Sequence, residues 1–579
     1  METKADDSDT DDSRPVSSTS YSLALPPRAL QTGCEEKEAD FKSWALNPSM
    51  ETVFNFSYVN RRSWRGPPRN DSVWATQDET EIPVVLPHYK RASTPGMPVP
   101  VEEGSGMSVW RERMFVFTVC LAQLFSLAGL AQSIAPLLVI SDSFGVNDPG
   151  KMSWYTAAYS MTLGTFILPA GRLGDMFGHR RMFIIGWVWF GVCSIICGFS
   201  FLGGPIMLST CRGLQGIGPA LLVPNGIALL GRTFPIGMKR AMAIAVFGGC
   251  GPVGFVIGTV FSSIFAQLLW WPWAFWTTAI ACAFACGLSY FAIPEDIART
   301  PLPGALPESR NQFDLLGSVT GVTGLLLINF ALNEAPCEGW DVAYIPVLLG
   351  IGVLLMVAFV YVELCVAARP IVPLRGLHRD AAFTLACIAA GWASHGIWSY
   401  YFFLFLQEIR NHTPLLTAAE WCPVAPVGFC AALAVPALLT KIRVPWLMSA
   451  AMLVFTLSIA LLLTAPPSQT YWANTFVSIL IAPFAMNWSF PSATILMSNA
   501  VAKHHQGIAA SLVATMVNYS IATGLGIAGT IARYTTPTQG VLGGYRDAWW
   551  LGLAFGLAGF AISLYFICQS RARSQAIRK

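Results

Sequence analysis

Long apolar runs recur along most of the chain, and short polar stretches separate them. About 20 residues at 1.5 Å rise per residue cross the ~30 Å hydrocarbon core of a bilayer. Runs of that kind occur at 115–140, 152–170, 183–202, 206–230, 241–266, 272–293, 315–333, 343–362, 381–406, 421–440, 445–465, 472–498, 508–532 and 548–568. The pattern predicts an all-α membrane protein with fourteen transmembrane helices.

The polar stretches divide the chain into segments. Residues 1–108 are rich in Ser, Pro, Asp and Glu and hold no span-length run, so they are predicted to be a disordered cytosolic tail. The acidic start offers no apolar signal peptide, so the first span is expected to act as the anchor. The remaining segments are predicted as a six-helix bundle at 109–293, a cytosolic loop at 294–314, a two-helix insert at 315–362, a cytosolic loop at 363–380, a second six-helix bundle at 381–568 and a cytosolic tail at 569–579.

Composition agrees with a membrane protein. The 579 residues are 54% hydrophobic and only 12% charged, with a mean hydropathy of +0.52, whereas soluble domains carry about 25% charged residues. The net charge of +3 gives no argument for binding nucleic acid. The 14 cysteines show no zinc-type spacing and lie largely within apolar runs, as at Cys193 and Cys197. They are predicted to be buried small hydrophobes, and no metal or cofactor is expected.

Lysine and arginine predict the orientation. With the N-terminus inside, the outer loops hold only Lys151, Arg410, Arg533 and Arg546, and the inner loops and flanks hold most of the others. The positive-inside rule therefore places both termini in the cytosol. The sequons begin at Asn55, Asn70, Asn411, Asn487 and Asn518. On this topology only Asn411 faces outward and is available for glycosylation.

A charged, glycine-rich turn is expected between the second and third runs. It reads Gly171-Arg-Leu-Gly-Asp175-Met-Phe-Gly178-His-Arg180-Arg181. Glycines allow helix ends to approach closely, and Asp175 is an isolated carboxylate that can pair with an arginine or a helix N-terminus. The stretch resembles the cytoplasmic loop signature of the major facilitator superfamily. That resemblance implies a gating role for Gly171, Asp175, Gly178, Arg180 and Arg181; an ordinary positive-inside loop is the alternative.

A second motif places an arginine within the fourth run, in Leu208-Ser-Thr-Cys-Arg212-Gly-Leu-Gln215-Gly216. A charge inside the membrane is costly and is usually functional or paired. A side chain that snorkels to the nearer surface is the alternative. The pattern is similar to the superfamily signature in span four that is associated with proton transfer. The resemblance places Arg212, Gln215 and Gly216 in a proton or substrate pathway.

A third motif combines proline with small residues in the fifth run. Proline loosens a helix and glycines permit close packing at Gly251, Pro252, Gly254 and Gly258. The stretch partly matches the signature of the superfamily's antiporters, because Phe255 and Val256 replace an expected glycine pair. Plain helix packing and an antiport function both stay open at this point.

The wider resemblance is to the fourteen-span drug:proton antiporters and to their fungal aminotriazole-resistance-like branch. It is carried by Tyr159-Ser-Met-Thr-Leu-Gly-Thr-Phe-Ile-Leu168, by Gly213-Leu-Gln-Gly-Ile-Gly-Pro-Ala-Leu-Leu-Val-Pro-Asn225 and by Trp271-Pro-Trp-Ala-Phe-Trp276. It implies a monomeric, multi-pass plasma-membrane protein in the lipid bilayer. Such a protein exports drugs, toxins or small solutes by alternating access in exchange for protons.

One feature departs from that family pattern: none of the fourteen predicted runs contains Asp or Glu. His395 lies mid-run among aromatic residues and titrates near neutral pH in its unperturbed state. It is therefore a candidate for the proton or substrate pathway, with a simple hydrogen-bonded histidine as the alternative.

Other function classes have less support. Gly145-Val-Asn-Asp-Pro-Gly-Lys151-Met152 lacks the hydroxyl residue that a phosphate-binding loop needs for Mg²⁺, so ATP-driven transport is rejected. No catalytic motif indicates an enzyme. Proton-coupled nutrient uptake and a non-transporting membrane sensor remain as alternatives.

Overall fold

The computed structural model describes residues 107–234, 238–295, 314–367, 370–372, 374–377, 379–500 and 506–576. The tail predicted at 1–108 lies outside these ranges up to residue 106, and so does most of the loop predicted at 294–314. Every regular element within the described ranges is helical. The all-α prediction is confirmed for this part of the chain.

The described helices follow one another with short connections. In chain order they are α1 Val109–Ala131, α2 Leu137–Ser143, α3 Pro149–Phe177, α4 His179–Gly198, α5 Gly204–Thr233, α6 Met238–Leu268, α7 Pro272–Ala292, α8 Leu315–Glu338, α9 Tyr344–Tyr361, α10 Arg379–Leu404, α11 Pro414–Trp421, α12 Val424–Lys441, α13 Val444–Leu463, α14 Asn474–Asn499 and α15 Gln506–Ala576. Short π-helical turns follow α9 at Val362–Val366 and α10 at Phe405–Ile409. Helices α1–α7 are called the first half, α8–α9 the insert, and α10–α15 the second half. The two ends of the long helices are called the Gly178 end and the Arg410 end.

The count of spans differs from the prediction. Twelve described helices are long and apolar enough to cross a membrane, so the predicted fourteen are not confirmed. Helix α3 is not among the twelve, because many of its residues are small or polar and lower its mean hydropathy. Most of its residues are buried. The last of the twelve, Ile508–Arg571, has 64 residues and contains Gly540 in a non-helical conformation.

Two boundaries in the first half also differ. The first run does not continue to residue 140, because α1 ends at Ala131 and residues 132–136 form a turn. Pro136 has no backbone N–H to continue the helix, and α2 begins directly after it. In contrast, α3 continues to Phe177, so most of the predicted turn from Gly171 is helical. Gly178 alone interrupts it, with φ at +99°, a value that favours glycine.

Several helices extend beyond their apolar runs at the polar ends. Helix α8 includes Glu334, and the π-helical turn after α10 includes Glu408. The helices therefore include carboxylates that the predicted apolar runs lack, because helix continuation depends on backbone hydrogen bonds as well as on apolar composition. Helix α15 likewise continues to Ala576, so the tail predicted from 569 is helical through that residue.

The apolar core is shared unevenly between the halves. One cluster of buried side chains joins the first half to the Arg410 end of the second half, with Phe275, Phe403 and Trp549 among its members. A separate cluster, which includes Ile388 and Met452, fills the Gly178 end of the second half. The two halves are therefore packed together more continuously at the Arg410 end.

Candidate functional site

Asp175 lies at the Gly178 end, in the last turn of α3. Its Oδ1 is 3.4 Å from Arg232 Nη2 at the end of α5 and 3.2 Å from His179 Nε2. The His179 ring is buried, and its Nδ1 is 2.7 Å from Asn225 Oδ1. The carboxylate therefore joins the ends of α3, α4 and α5, and its arginine partner is Arg232 rather than a residue of its own motif.

The other predicted gating residues have different surroundings. Arg180 donates to Glu295 Oε1 at 2.7 Å and to the Tyr290 carbonyl at 2.8 Å, which fixes the end of α7. Arg181 is exposed. A Cβ atom at Gly171 would lie 3.3 Å from Ser511 Oγ of α15, so this glycine marks a close approach between the two halves. The predicted residues thus share one end of the molecule but do not form one ion-pair network.

Arg212 is completely buried within the first half. Its Nε donates to the Tyr155 carbonyl at 2.8 Å, and its Nη2 donates to the Gly129 carbonyl at 2.7 Å. Its Nη1 donates to Gln215 Oε1, while Gln215 Nε2 donates to Ser194 Oγ at 2.7 Å. One guanidinium therefore ties α5 to α1 and α3, and through Gln215 to α4.

The charge of Arg212 is stabilised by neutral groups. No ion pair to it occurs among the described residues, but its Cζ lies 4.5 Å from the ring centroid of Tyr159, a cation–π distance. Gly216 allows this packing, because a Cβ there would lie 2.4 Å from the Tyr159 carbonyl oxygen. Complete burial rules out the snorkelling alternative for Arg212. The side chain is a brace within the first half in this conformation.

The small residues of α6 lie on two packing surfaces. Cβ atoms at Gly254 and Gly258 would lie 2.0 Å from the Leu124 carbonyl oxygen and 2.3 Å from the Ala128 carbonyl oxygen of α1. On another side of the helix, Pro252 packs closely against α12. A Cβ atom at Gly428 of α12 would lie 2.5 Å from the Cβ atom of Pro252. Helix α6 is therefore a contact between the first and second halves.

His395 lies in the second half and has no hydrogen bond among the described residues. Its ring centroid is 5.4 Å from those of Trp392 and Trp398 and 5.8 Å from that of Phe455. The two indole N–H groups donate elsewhere, to Ser489 Oγ and Ser478 Oγ. His395 is thus enclosed in an aromatic pocket and makes no contact with the Arg212 group, so the structure does not bring the predicted pathway residues together.

Polar residues that the sequence reasoning did not select lie at the contacts between segments. Trp154 Nε1 of α3 donates to Glu334 Oε2 of the insert at 2.8 Å. Gln407 Nε2 of the second half donates to the Ala135 carbonyl of the first half at 2.8 Å. These residues stand at the ends of apolar runs, where no spacing pattern distinguishes them from ordinary boundary residues.

Asn411 lies in the short connection between the π-helical turn and α11. It is exposed and adopts a left-handed conformation with φ at 56°. Asn487 and Asn518 lie within α14 and α15, where their side-chain amides donate to backbone carbonyls of the preceding turn. Asn55 and Asn70 lie outside the described residues.

Comparison with known families gives one consistent match. The profile of the Major Facilitator Superfamily matches residues 117–526. A solved structure of a POT family transporter superposes with a TM-score of 0.60, covering 79% of this chain and 96% of that chain. Since the two sequences are only 15% identical, this likeness is evidence of the fold alone.

Curated fungal relatives match at higher identity. The low affinity ammonium transporter of Saccharomyces cerevisiae is 47% identical, over 80% of this chain and 89% of its own length. The efflux pump terJ of Aspergillus terreus is 40% identical, over 80% and 89%. The aminotriazole resistance protein of Saccharomyces cerevisiae is 32% identical, over 81% of this chain and 86% of its own length.

Proposed function

The chain belongs to the major facilitator superfamily, and from this premise we propose that it exports small solutes in exchange for protons by alternating access. Its membership and its resemblance to the fungal efflux branch are confirmed. It is a multi-pass membrane transporter of small molecules and not an enzyme. The proposal concerns the direction of transport, the coupling ion and the residues involved.

The position of α6 is the observation that carries the antiport proposal. Its antiporter-like residues, Gly251, Pro252, Gly254 and Gly258, are in contact with α1 through the glycines and with α12 through Pro252. Rocking of one half against the other changes the contact between α6 and α12 directly. At Gly254 and Gly258 no side chain separates α6 from the backbone of α1. The two helices therefore move together as a rigid pair within the first half.

The proposed topology has fourteen crossings in a 6 + 2 + 6 arrangement. Two additions to the twelve candidate spans give this number. Helix α3, whose 29 residues connect the two ends, is counted as a span, and the last candidate span is divided into two at Gly540. The Gly178 end is then cytosolic, together with both termini, and the Arg410 end faces outward. We place the protein in the plasma membrane as a monomer, because the family resemblance implies that arrangement.

The candidate site residues take separate roles in this proposal. His395 and its aromatic neighbours contact the solute, because flat apolar rings suit planar or weakly cationic solutes. The Arg212, Gln215 and Gly216 group keeps α1, α3 and α5 together while the solute passes. Asp175, Gly178, Arg180 and Arg181 with Gly171 act at the cytosolic gate.

Ammonium transport is the second candidate, since a relative with 47% identity is named a low affinity ammonium transporter. It corresponds to the nutrient-uptake alternative and shares the fold. The aromatic pocket around His395 is also compatible with a small cation. The non-transporting sensor has no support from these relatives.

Transport by the purified protein in liposomes tests the proposal. The lumen of the liposomes is acidic and represents the outside of the cell. Labelled aminotriazole and labelled methylammonium are added separately to the external buffer, which represents the cytosol. We expect aminotriazole to accumulate only while the pH gradient persists, and a protonophore to abolish the accumulation. Protein-free liposomes correct for passive entry of the neutral amine. Equal accumulation with and without the gradient would reject proton antiport, and methylammonium transport alone would favour the second candidate.

A further inference from the structure

We propose that Glu408 is the proton-binding carboxylate of the exchange cycle. This inference rests on the proposed proton antiport. It assigns the coupling ion to a residue in the π-helical turn Phe405–Ile409, which joins α10 to the connection before α11. Glu408 is set apart by its hydrogen bond to a tyrosine, by the lack of a cationic partner among the described residues and by a buried hydroxyl close to it that has no partner.

The carboxylate of Glu408 is partly buried and has no cationic partner among the described residues. The Tyr545 hydroxyl of α15 donates to its Oε2. The nearest arginine in sequence, Arg410, is directed elsewhere: it donates to Thr475 Oγ1 at 3.1 Å and to the Pro466 carbonyl at 3.3 Å. A partly buried carboxylate that accepts its side-chain hydrogen bond from a neutral phenol can take up a proton without breaking an ion pair.

Glu408 lies beside a contact between the two halves. The neighbouring residue Gln407 donates to the Ala135 carbonyl in the turn between α1 and α2. Helix α2 carries Asp142, which is exposed and has a weak electrostatic interaction with Glu408. Among the described residues, the other titratable groups that interact with Glu408 are Tyr545 of α15 and Tyr400 of α10. Titratable groups of both halves therefore lie within electrostatic range of Glu408.

The charge of Glu408 differs between its two protonation states. One proton bonds to a carboxylate oxygen of Glu408 and leaves it again later in the cycle, and no other bond is formed or broken. The two states differ by one charge beside the contact between the halves, so binding of the proton changes the relative energy of the two transport states.

A buried hydroxyl close to Glu408 supplies a further observation. The hydroxyl oxygen of Tyr400 has no hydrogen-bond partner among the described residues, and the residue is 3% exposed. An unsatisfied buried hydroxyl of this kind is rare and indicates a place for a bound water or ligand. Since Tyr400 interacts electrostatically with Glu408, a water bound to it is suited to bring a proton to that carboxylate.

Infrared difference spectroscopy tests proton binding without any solute. The full-length protein in lipid is compared at about pH 5 and about pH 8, and the carboxylic C=O band is recorded for the natural protein, Glu408→Gln and Glu420→Gln. Glu420 is the matched control, because it also lies at the Arg410 end but accepts from His412 Nδ1 at 3.0 Å. We expect one band to be lost in Glu408→Gln alone. Retention of every band in Glu408→Gln would overturn the assignment.

Transport of aminotriazole in liposomes tests the coupling. We expect Glu408→Gln to reduce gradient-driven accumulation of the solute at least tenfold. The variant is expected to retain exchange of labelled for unlabelled solute when the pH is equal on both sides of the membrane. Glu420→Gln is expected to keep both. Gradient-driven accumulation by Glu408→Gln at the natural rate would overturn the role. If the natural protein shows no gradient dependence but the infrared band is lost, the proposed antiport fails while the proton site stands.

A second variant covers the case in which Glu408→Gln does not fold. Tyr545→Phe keeps the carboxylate but removes the hydroxyl that donates to it. Since that donor favours the ionised form, we expect the midpoint of the pH profile of transport to move upward by about one unit. An unchanged profile in a folded Tyr545→Phe protein would contradict the proposal.

Discussion

At the scale of single residues, Arg212 shows how a cation is accommodated in an apolar bundle without a carboxylate. Two backbone carbonyls and one amide oxygen accept its hydrogen bonds, and the Tyr159 ring lies against the guanidinium. Each acceptor is itself buried and would lose a charged donor if the arginine were removed. The residue is therefore expected to affect the stability of the first half before it affects any transport step.

We predict that Arg212→Ala strongly reduces the amount of folded protein. Each hydrogen bond to a charged group contributes about 1.5–3 kcal/mol, and lysine can replace some but not all of those made by Arg212. Arg212→Lys is therefore expected to fold with a lower melting temperature and to retain part of the coupled transport. Thermal unfolding in detergent and transport per folded molecule are the measurements. An alanine variant with natural stability would show that Arg212 is not a brace.

We predict that Asp175→Asn reduces transport several-fold while the protein still folds. Asp175 is 40% exposed, so loss of its pairs with Arg232 and His179 is expected to cost less than about 1 kcal/mol. The charge matters more to the relative energy of the two transport states than to folding.

Glu338→Gln is the matched control for this variant, because it removes an exposed ion pair, with Lys151, at the other end of the molecule. Transport by equal amounts of each variant in vesicles is the measurement. A natural rate for Asp175→Asn, or an equal loss in Glu338→Gln, would count against a specific gating role for Asp175.

At the scale of elements, helix α6 is defined by what its glycines permit. The backbone of α1 lies so close to Gly254 and Gly258 that no side chain fits between the two helices. Close contact of this kind is a common basis of helix association within membranes, where burial of apolar surface gives no driving force. Helix α6 is therefore packed tightly against α1, and the side that carries Pro252 is in contact with the second half.

We predict that Gly254→Ala disrupts this element whereas Gly248→Ala does not. The new methyl group at residue 254 would meet the Leu124 carbonyl oxygen at 2.0 Å, but a Cβ at Gly248 has no neighbouring atom within 4 Å. Overpacking of this kind costs about 1–3 kcal/mol. Unfolding temperature and transport activity of both variants are the measurements, and similar values for the two would contradict the packing argument.

At the scale of the whole described molecule, the insert is in contact with both halves. Helix α8 accepts from Trp154 of the first half through Glu334 and donates from Asn329 Nδ2 to Thr523 Oγ1 of the second half at 2.9 Å. Asn333 Nδ2 also donates to the Ala522 carbonyl at 3.1 Å. The insert is therefore more extensively bonded to the second half, and Trp154–Glu334 is a contact that relative motion of the halves would stretch.

We predict that any N-linked glycan is carried by Asn411 and not by Asn55 or Asn70. Asn411 is exposed at the Arg410 end, which the positive-inside rule places outside the cytosol. Mass mapping after glycosidase treatment identifies the occupied sites, and Asn411→Gln is the control. A glycan on Asn55 or Asn70 would place the N-terminus outside and reverse the proposed orientation.

The sequence by itself determined the fold class, the approximate positions of most helices and the superfamily. These depend on local properties: the length of an apolar run, the position of a proline, and the spacing of glycines and charges in a motif. The same local reasoning failed where helices end, because Glu334 and Glu408 are polar residues held in helical turns by hydrogen bonds to their neighbours.

Only the tertiary structure decided which polar groups meet. Asp175 pairs with Arg232, 57 residues away, and Glu408 accepts from Tyr545, 137 residues away. Such pairs depend on the rotation of each helix about its axis and on which helices are neighbours, and neither is encoded in local spacing. For the same reason, the burial of Arg212 among carbonyls and the distance of His395 from it could be learned only from the packed helices.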